Sequence, residues 1–211
     1  MMEPLALDKL NVSTTGRPGA YPNPRMNSVE TLIARARCDD PEAFRLLFER
    51  YSRPVISFVY DMVGERALAE DLTQETFVRA YRHLNALREE SKFSTWLFSI
   101  AKNVAREHLR SAERRSTKVD LDDETVQELP DGALTPVAEL LDKELNAVVR
   151  HALGALDDDK RMVFTLKVFQ QRSYEEIAEI TGFSLPKVKT DLHRARAEMR
   201  RRISPYMGVS Q

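Results

Sequence analysis

Apolar residues recur at every third or fourth position along most of the chain, which is the spacing of amphipathic α-helices. In the first part, such stripes lie at about 28–37, from Asp40-Pro41 to Tyr51, and at about 53–63, 66–84 and 94–114. No stretch alternates apolar and polar residues for long enough to form a sheet. The pattern therefore predicts an all-α protein whose first part is a bundle of about five helices.

A second group of helical stripes follows near the carboxyl end. One stripe covers about 137–153, and Asp157 is placed to cap the next helix. Ser173-Tyr-Glu-Glu176 has the pattern of a capping box, and Gly182 is placed to end that short helix. Ser184 then caps a final helix that reaches about Ile203. These stripes predict a second, smaller helical domain.

The segment between the two domains is acidic. Residues 116–145 carry two lysines against nine acidic residues, for a net charge of −7, whereas residues 146–211 carry +4. We therefore predict an acidic linker at 112–137 between a domain at 27–111 and a domain at 138–203. A solvated spacer with no further role is the alternative for this linker. Residues 1–26 are predicted to be a disordered extension, and 204–211 a tail.

The composition narrows the classes of protein that remain. The chain has 211 residues, 31% of them charged, with seven glycines and a single cysteine. One cysteine excludes an internal disulfide framework and a cysteine-based zinc cage. No apolar run reaches the ~18 residues of a membrane span, so we predict a cytoplasmic protein without membrane insertion. Because phosphate-binding glycine loops and common hydrolase motifs are also missing, we predict no catalytic residue, no metal and no cofactor.

The last two helices have the layout of a helix-turn-helix, in which the second helix enters the major groove of DNA. That helix has a narrow apolar stripe formed by Val188, Leu192, Ala195 and Met199, and most of its remaining surface is basic. A solvated basic helix without a ligand is the alternative. The candidate DNA-contacting residues are Ser184, Pro186, Lys187, Lys189, Thr190, His193, Arg194 and Arg196.

The helix near 94–114 also has an unusual polar face. Cations beside an exposed aromatic ring suit an unstacked single strand, because every base has a π face. Burial of both aromatic residues in the helical core is the alternative. The candidate residues for this surface are Phe93, Trp96, Lys102, Asn103, Arg106 and Arg110.

Both parts together resemble one protein family. Ala69-Glu-Asp-Leu-Thr-Gln-Glu-Thr-Phe77, Phe93-Ser-Thr-Trp-Leu97 and Ile100-Ala-Lys-Asn103 are similar to the second region of bacterial sigma factors. Ser173-Tyr-Glu-Glu-Ile-Ala-Glu-Ile180 and Leu192-His-Arg-Ala-Arg196 are similar to the fourth region. The small size, with only these two domains, resembles the extracytoplasmic-function (ECF) group of RNA polymerase sigma factors.

The resemblance implies a role for each surface. Asp71, Gln74 and Glu75 would dock on the clamp coiled coil of core RNA polymerase. The helix near 94–114 would capture the melted −10 element of promoter DNA, and the last domain would bind the −35 element as a duplex. An anti-sigma factor is an expected partner.

Pro186 departs from the family pattern, since a small or polar residue is commoner at that position, and this puts in question which neighbouring side chains meet bases. A rival hypothesis is a helix-turn-helix regulator that never joins polymerase. That rival explains residues 173–203 but not Asp71, Gln74 and Glu75.

Overall fold

The computed structural model describes residues 28–116 and 136–206. Within these two ranges all regular structure is helical, which confirms the predicted all-α class. The predicted extension at 1–26 and most of the predicted linker and tail lie outside the described residues. We refer to residues 28–116 as the first half and to residues 136–206 as the second half.

The first half contains four α-helices and the second half another four. Short 3-10 turns at Leu84–Ala86 and Glu90–Lys92 connect α3 to α4, and a third turn at Ser204–Tyr206 follows α8. The helices are α1 Val29–Arg37, α2 Pro41–Val63, α3 Arg66–Arg82, α4 Phe93–Ser116, α5 Pro136–Gly154, α6 Asp158–Val168, α7 Tyr174–Thr181 and α8 Leu185–Ile203.

Local capping chemistry explains where several helices begin and end. The Asp40 carboxylate accepts the backbone N–H groups of Glu42 and Ala43, and Pro41 occupies the first helical position, where no N–H is needed. At the other end of α2, Gly64 adopts the left-handed conformation with φ 78°. The predicted cap at Asp40 is therefore present in the structure.

Helix α2 is longer than the sequence pattern indicates. The pattern predicts separate helices on either side of residue 52, but the structure has one helix of 23 residues that continues through Pro54. A proline inside a helix removes one backbone hydrogen bond and crowds the preceding turn. Here Leu47 before the proline and Phe58 after it are both fully buried in the same core, and this burial outweighs the local penalty.

The two halves pack directly against each other. Helix α4 contacts α7, and α2 contacts both α5 and α6. Arg161 Nη1 donates a 2.7 Å hydrogen bond to the carbonyl of Met62 at the end of α2. Arg172 Nη2 donates a 2.6 Å hydrogen bond to Ser94 Oγ at the start of α4, and its guanidinium lies 4.6 Å from the centre of the Phe98 ring. Two arginines of the second half therefore anchor it on the first.

Candidate nucleic-acid and partner interfaces

The turn between α7 and α8 is fixed by local hydrogen bonds. The Ser173 hydroxyl accepts the N–H of Glu176 at 3.0 Å, and the Glu176 carboxylate accepts the N–H of Ser173 at 2.8 Å, so the predicted capping box is present. Gly182 ends α7 with φ 77°, and its N–H donates to the Ala178 carbonyl at 2.8 Å. The Ser184 hydroxyl then accepts the N–H of Lys187 at 3.4 Å and caps α8. Helix α8 thus leaves the turn at a defined angle.

Helix α8 has one buried side and one basic side. Val188, Leu192, Ala195 and Met199 are buried, as the apolar stripe predicts. Most of the residues predicted to contact duplex DNA lie outside this stripe and are exposed: Ser184, Pro186, Lys189, Thr190, His193, Arg194 and Arg196. We call these residues, together with Lys187, the α8 cationic face.

Lys187 differs from the rest of that face because its ammonium group is already paired. Lys187 Nζ lies 2.6 Å from Asp191 Oδ2 and 3.0 Å from Asp159 Oδ2. It also lies 4.3 Å from the centre of the Phe183 ring. The hydrogen bond to Asp191, followed by that to Asp159, raises the pKa of Lys187, so this side chain is held in place as a cation.

The polar face of α4 is present, but its members are exposed to different degrees. Asn103 and Arg110 are exposed, whereas Trp96, Lys102 and Arg106 are half-buried. Burial lowers the pKa of Lys102, and the nearby charge of Arg106 lowers it further. We call these five residues the α4 cationic face.

Phe93 does not share that face. Its side chain is fully buried, with its ring centre 5.3 Å from that of Tyr51 and 5.9 Å from that of Trp96. In this structure Phe93 is a core residue that supports the indole of Trp96, which matches the alternative considered for it from the sequence. We therefore leave Phe93 out of the surface offered to a nucleic acid.

One carboxylate connects the two cationic faces. Asp159, in the first turn of α6, forms an ion pair with Arg106 of α4 through Oδ1 and with Lys187 of α8 through Oδ2. The Arg106 guanidinium also lies 5.5 Å from the centre of the Phe183 ring. Sequence reasoning missed Asp159, since residues 106 and 159 are too far apart for any local pattern to pair them.

The three residues predicted to meet polymerase lie on α3. Asp71 and Gln74 are exposed, and Glu75 is half-buried. The Glu75 carboxylate accepts a 2.8 Å hydrogen bond from Arg79 Nε, and Arg79 Nη1 lies 2.9 Å from Glu107 Oε2 on α4. Positions 71, 74 and 75 share one side of the helix because residues three and four apart are neighbours on its surface. We call them the α3 polar face.

An apolar strip extends this face. Val78 and Tyr81 follow Gln74 at helical spacing and are 43% and 47% exposed, and Phe48 on α2 is 39% exposed. The Tyr81 and Phe48 rings pack edge-on against Phe44 and Phe77 at 4.9 Å and 4.8 Å between ring centres. The sequence pattern places Val78 and Tyr81 on the inward stripe of α3, and the structure instead leaves them accessible. Their exposure depends on how far α2 covers α3, which the pattern of one helix does not contain.

In the described ranges, histidine, cysteine and carboxylate side chains form no cluster of three or more that is suited to a metal ion. No helix among the described residues combines the length and the apolar character needed to cross a bilayer.

The chain is similar to one family over most of its length. Residues 47–115 match Sigma-70 region 2, and residues 146–199 match Sigma-70, region 4. The chain is 33% identical to the ECF RNA polymerase sigma-E factor of Haemophilus influenzae over 183 residues, covering 84% of this chain and 96% of the relative. It is 34% identical to the ECF RNA polymerase sigma-E factor of Escherichia coli K12, with 84% and 95% covered.

Two solved structures have a similar fold. One is the sigma factor RpoE in complex with the anti-sigma factor NepR from Bartonella quintana, with a TM-score of 0.62, 22% identity, and 76% of this chain and 96% of that chain covered. The other is CnrH in complex with the cytosolic domain of CnrY, with a TM-score of 0.62, 24% identity, and 83% and 97% covered. At these identities the likeness concerns the fold.

Proposed function

The chain belongs to the ECF group of RNA polymerase sigma factors, and from this premise we propose that it binds core RNA polymerase and directs promoter recognition and DNA melting. The observation that carries the proposal is the presence of two different cationic helical faces in one chain, next to a separate polar face on α3. The rival hypothesis, a regulator that binds only DNA, does not explain the α3 polar face. In this proposal the protein is a binding subunit without catalytic activity, and it acts in the cytoplasm.

The α3 polar face is the proposed contact with core polymerase. Asp71 and Gln74 are exposed, and with Glu75 they present two carboxylates and one amide on one side of a helix. Such a set suits a partner helix rich in arginine, because a guanidinium donates hydrogen bonds to carboxylates in a fixed geometry. The exposed strip of Val78 and Tyr81 adds apolar area to the same side.

The α4 cationic face is the proposed contact with the melted −10 element. Trp96 offers part of its ring for stacking with a base, which contributes ~1–3 kcal/mol per base in single-strand complexes. Asn103 supplies an amide that can bond to the edge of an unpaired base. Lys102, Arg106 and Arg110 supply charges for the phosphates of that strand.

The α8 cationic face is the proposed contact with the −35 element. The amino-terminal turns of a recognition helix reach the base edges, and here those turns carry Lys187 and Thr190, with Arg194 one turn further on. Arg196 lies further round the helix and is better placed for phosphates. Pro186 at the second position of α8 needs no backbone partner, so it is compatible with this docking.

We also propose that an anti-sigma factor controls the chain. The two structures with a similar fold are both complexes: one holds an anti-sigma factor, and the other holds the cytosolic domain of CnrY. Co-purification from the native host, followed by identification of the bound proteins, tests this part of the proposal.

Transcription in vitro tests the main proposal. Core polymerase supplied with this protein should initiate at a subset of promoters in a library of genomic fragments, and core polymerase alone should not. If no fragment yields a protein-dependent start, the proposal is wrong.

A double variant separates this proposal from the rival DNA-binding regulator. Asp71→Ala with Gln74→Ala should weaken co-purification with core polymerase while leaving duplex DNA binding intact. Glu30→Ala is a suitable control, because Glu30 is an exposed carboxylate on α1 of the same half and lies outside the α3 polar face. Equal loss of the polymerase complex in the control would contradict the assignment of the α3 polar face.

A further inference from the structure

The two cationic faces are brought together in this structure. The second half is anchored on the first by Arg161 and Arg172, and Lys92 Nζ adds an ion pair of 2.7 Å with Glu179 on α7. With the halves in this position, α6 and the α7–α8 turn cover part of α4. The side chain of Arg106 is only 23% exposed as a result.

Asp159 pairs with two of the cations that the proposed function assigns to DNA. Its two carboxylate oxygens pair with one cation from each face, Arg106 through Oδ1 and Lys187 through Oδ2. A carboxylate that bridges two cations satisfies the same charges as a phosphate of a nucleic-acid backbone. A strand that approaches Arg106, or a duplex that approaches Lys187, must therefore displace Asp159 first.

Of the carboxylates that line this groove, only Asp159 forms an ion pair with the first half. Asp157 and Asp158 line the same groove but have other partners: Asp157 caps α6 and pairs with Lys160, and Asp158 pairs with Arg161. Asp191 also pairs with Lys187, but it lies on the same helix and moves with it. Among these groove carboxylates, the ion pairs place Asp159 alone between the two halves.

We propose that Asp159 is an autoinhibitory counter-ion, which holds the free chain closed and withholds Arg106 of the α4 cationic face until the halves separate. This inference rests on the proposed function, since it assigns a regulatory contact to the α4 cationic face. Binding to polymerase, which spaces the halves along a promoter, breaks the ion pair between Arg106 and Asp159 and frees Arg106. The pair of Asp159 with Lys187 lies within the second half and moves with it.

Asp159→Asn in the full chain tests the proposal through DNA affinity. We expect the variant to bind a fluorescein-labelled oligo-dT about two- to fivefold more tightly than the wild type at moderate salt. Because one more cation reaches a phosphate, the slope of log K against log salt should become steeper by about 0.7. Glu175→Gln removes the same charge from an exposed position on α7 and should change neither quantity.

A distance measurement tests closure independently of DNA. Spin labels on the single native cysteine, the exposed Cys38, and on Ala197→Cys of α8 report the separation of the halves. Asp159→Asn should shift the distance distribution to longer values. Asp159→Asn with Arg106→Gln should keep the longer distances but lose the gain in oligo-dT affinity.

Two results overturn the proposal. Either Asp159→Asn leaves both the distances and the oligo-dT affinity at wild-type values, or Glu175→Gln reproduces the gain, in which case net charge alone explains it. If the proposal fails in this way while the wild type still initiates transcription with core polymerase, the proposed function stands. If the wild type never joins polymerase, the proposed function fails, and a shift in distance still supports the closed state.

Discussion

Replacing Asp61 with asparagine should stabilise the folded chain, and by more at higher pH. Asp61 lies near the end of α2, where this helix packs against α5 and α6 of the second half. Its Oδ2 atom is buried and has no hydrogen-bond partner among the described residues. Burial raises the pKa of Asp61 from its ordinary value of 3.8 to about 7, and the charge of Arg150 offsets only part of that effect.

The size of the effect follows from the linkage between protonation and folding. The raised pKa means that the ionised carboxylate is less stable in the folded chain than in the unfolded chain. Stability is therefore full below about pH 4 and declines as the pH rises towards about 7. A difference between 3.8 and about 7 corresponds to roughly 4 kcal/mol at most. Since a buried amide also needs partners, we expect asparagine to recover about 1–3 kcal/mol above pH 7.

Urea unfolding at about pH 5 and about pH 8 measures this difference. Circular dichroism follows the helices, and the fluorescence of Trp96, the single tryptophan, follows the first half. The advantage of Asp61→Asn over the wild type should grow by about 2 kcal/mol between the two pH values. Asp39→Asn, at an exposed turn position, serves as the control and should show no such growth. An advantage of Asp61→Asn that is independent of pH would refute the reasoning.

Three further variants test the local assignments. Gly182→Ala should lower the free energy of unfolding by about 1–2 kcal/mol in urea, because φ 77° is unfavourable for alanine although nothing lies within 4 Å of the added Cβ; an unchanged midpoint would contradict this. Trp96→Ala should weaken binding to a single-stranded −10 oligonucleotide by about 1–3 kcal/mol per stacked base, with Trp96→Phe retaining part of it; equal binding by both variants would remove Trp96 from the α4 cationic face. Arg194→Ala should make the salt slope of duplex binding shallower by about 0.9, measured by fluorescence anisotropy, and an unchanged slope would show that Arg194 touches no phosphate.

The features that the sequence predicted well are those that depend on neighbouring residues. The caps at Asp40, Ser173 and Ser184 and the end of α7 at Gly182 are each set by side chains within a few positions. The apolar stripe of α8 likewise follows from a period that one helix defines by itself. The family resemblance was also accessible, because its motifs are continuous stretches of sequence.

The features that the sequence did not predict depend on contacts between residues far apart along the chain. Separate helices were predicted on either side of residue 52, but the core that joins them into α2 is assembled from other helices as well. The sequence left both a core and a surface position open for Phe93, and the packing of its ring against Tyr51 places it in the core. The pairing of Arg106 with Asp159 joins residues 53 positions apart, and no periodic pattern contains that information.

The chain of ion pairs from Glu75 through Arg79 to Glu107 means that the α3 and α4 surfaces are not mechanically independent. A guanidinium from polymerase that bound Glu75 would have to compete with Arg79 Nε. The Nη1 atom of the same Arg79 forms an ion pair with Glu107 on α4. Docking of polymerase on α3 would then weaken the Arg79–Glu107 ion pair that links α3 to α4. Glu107 is the sequence neighbour of Arg106, which belongs to the α4 cationic face.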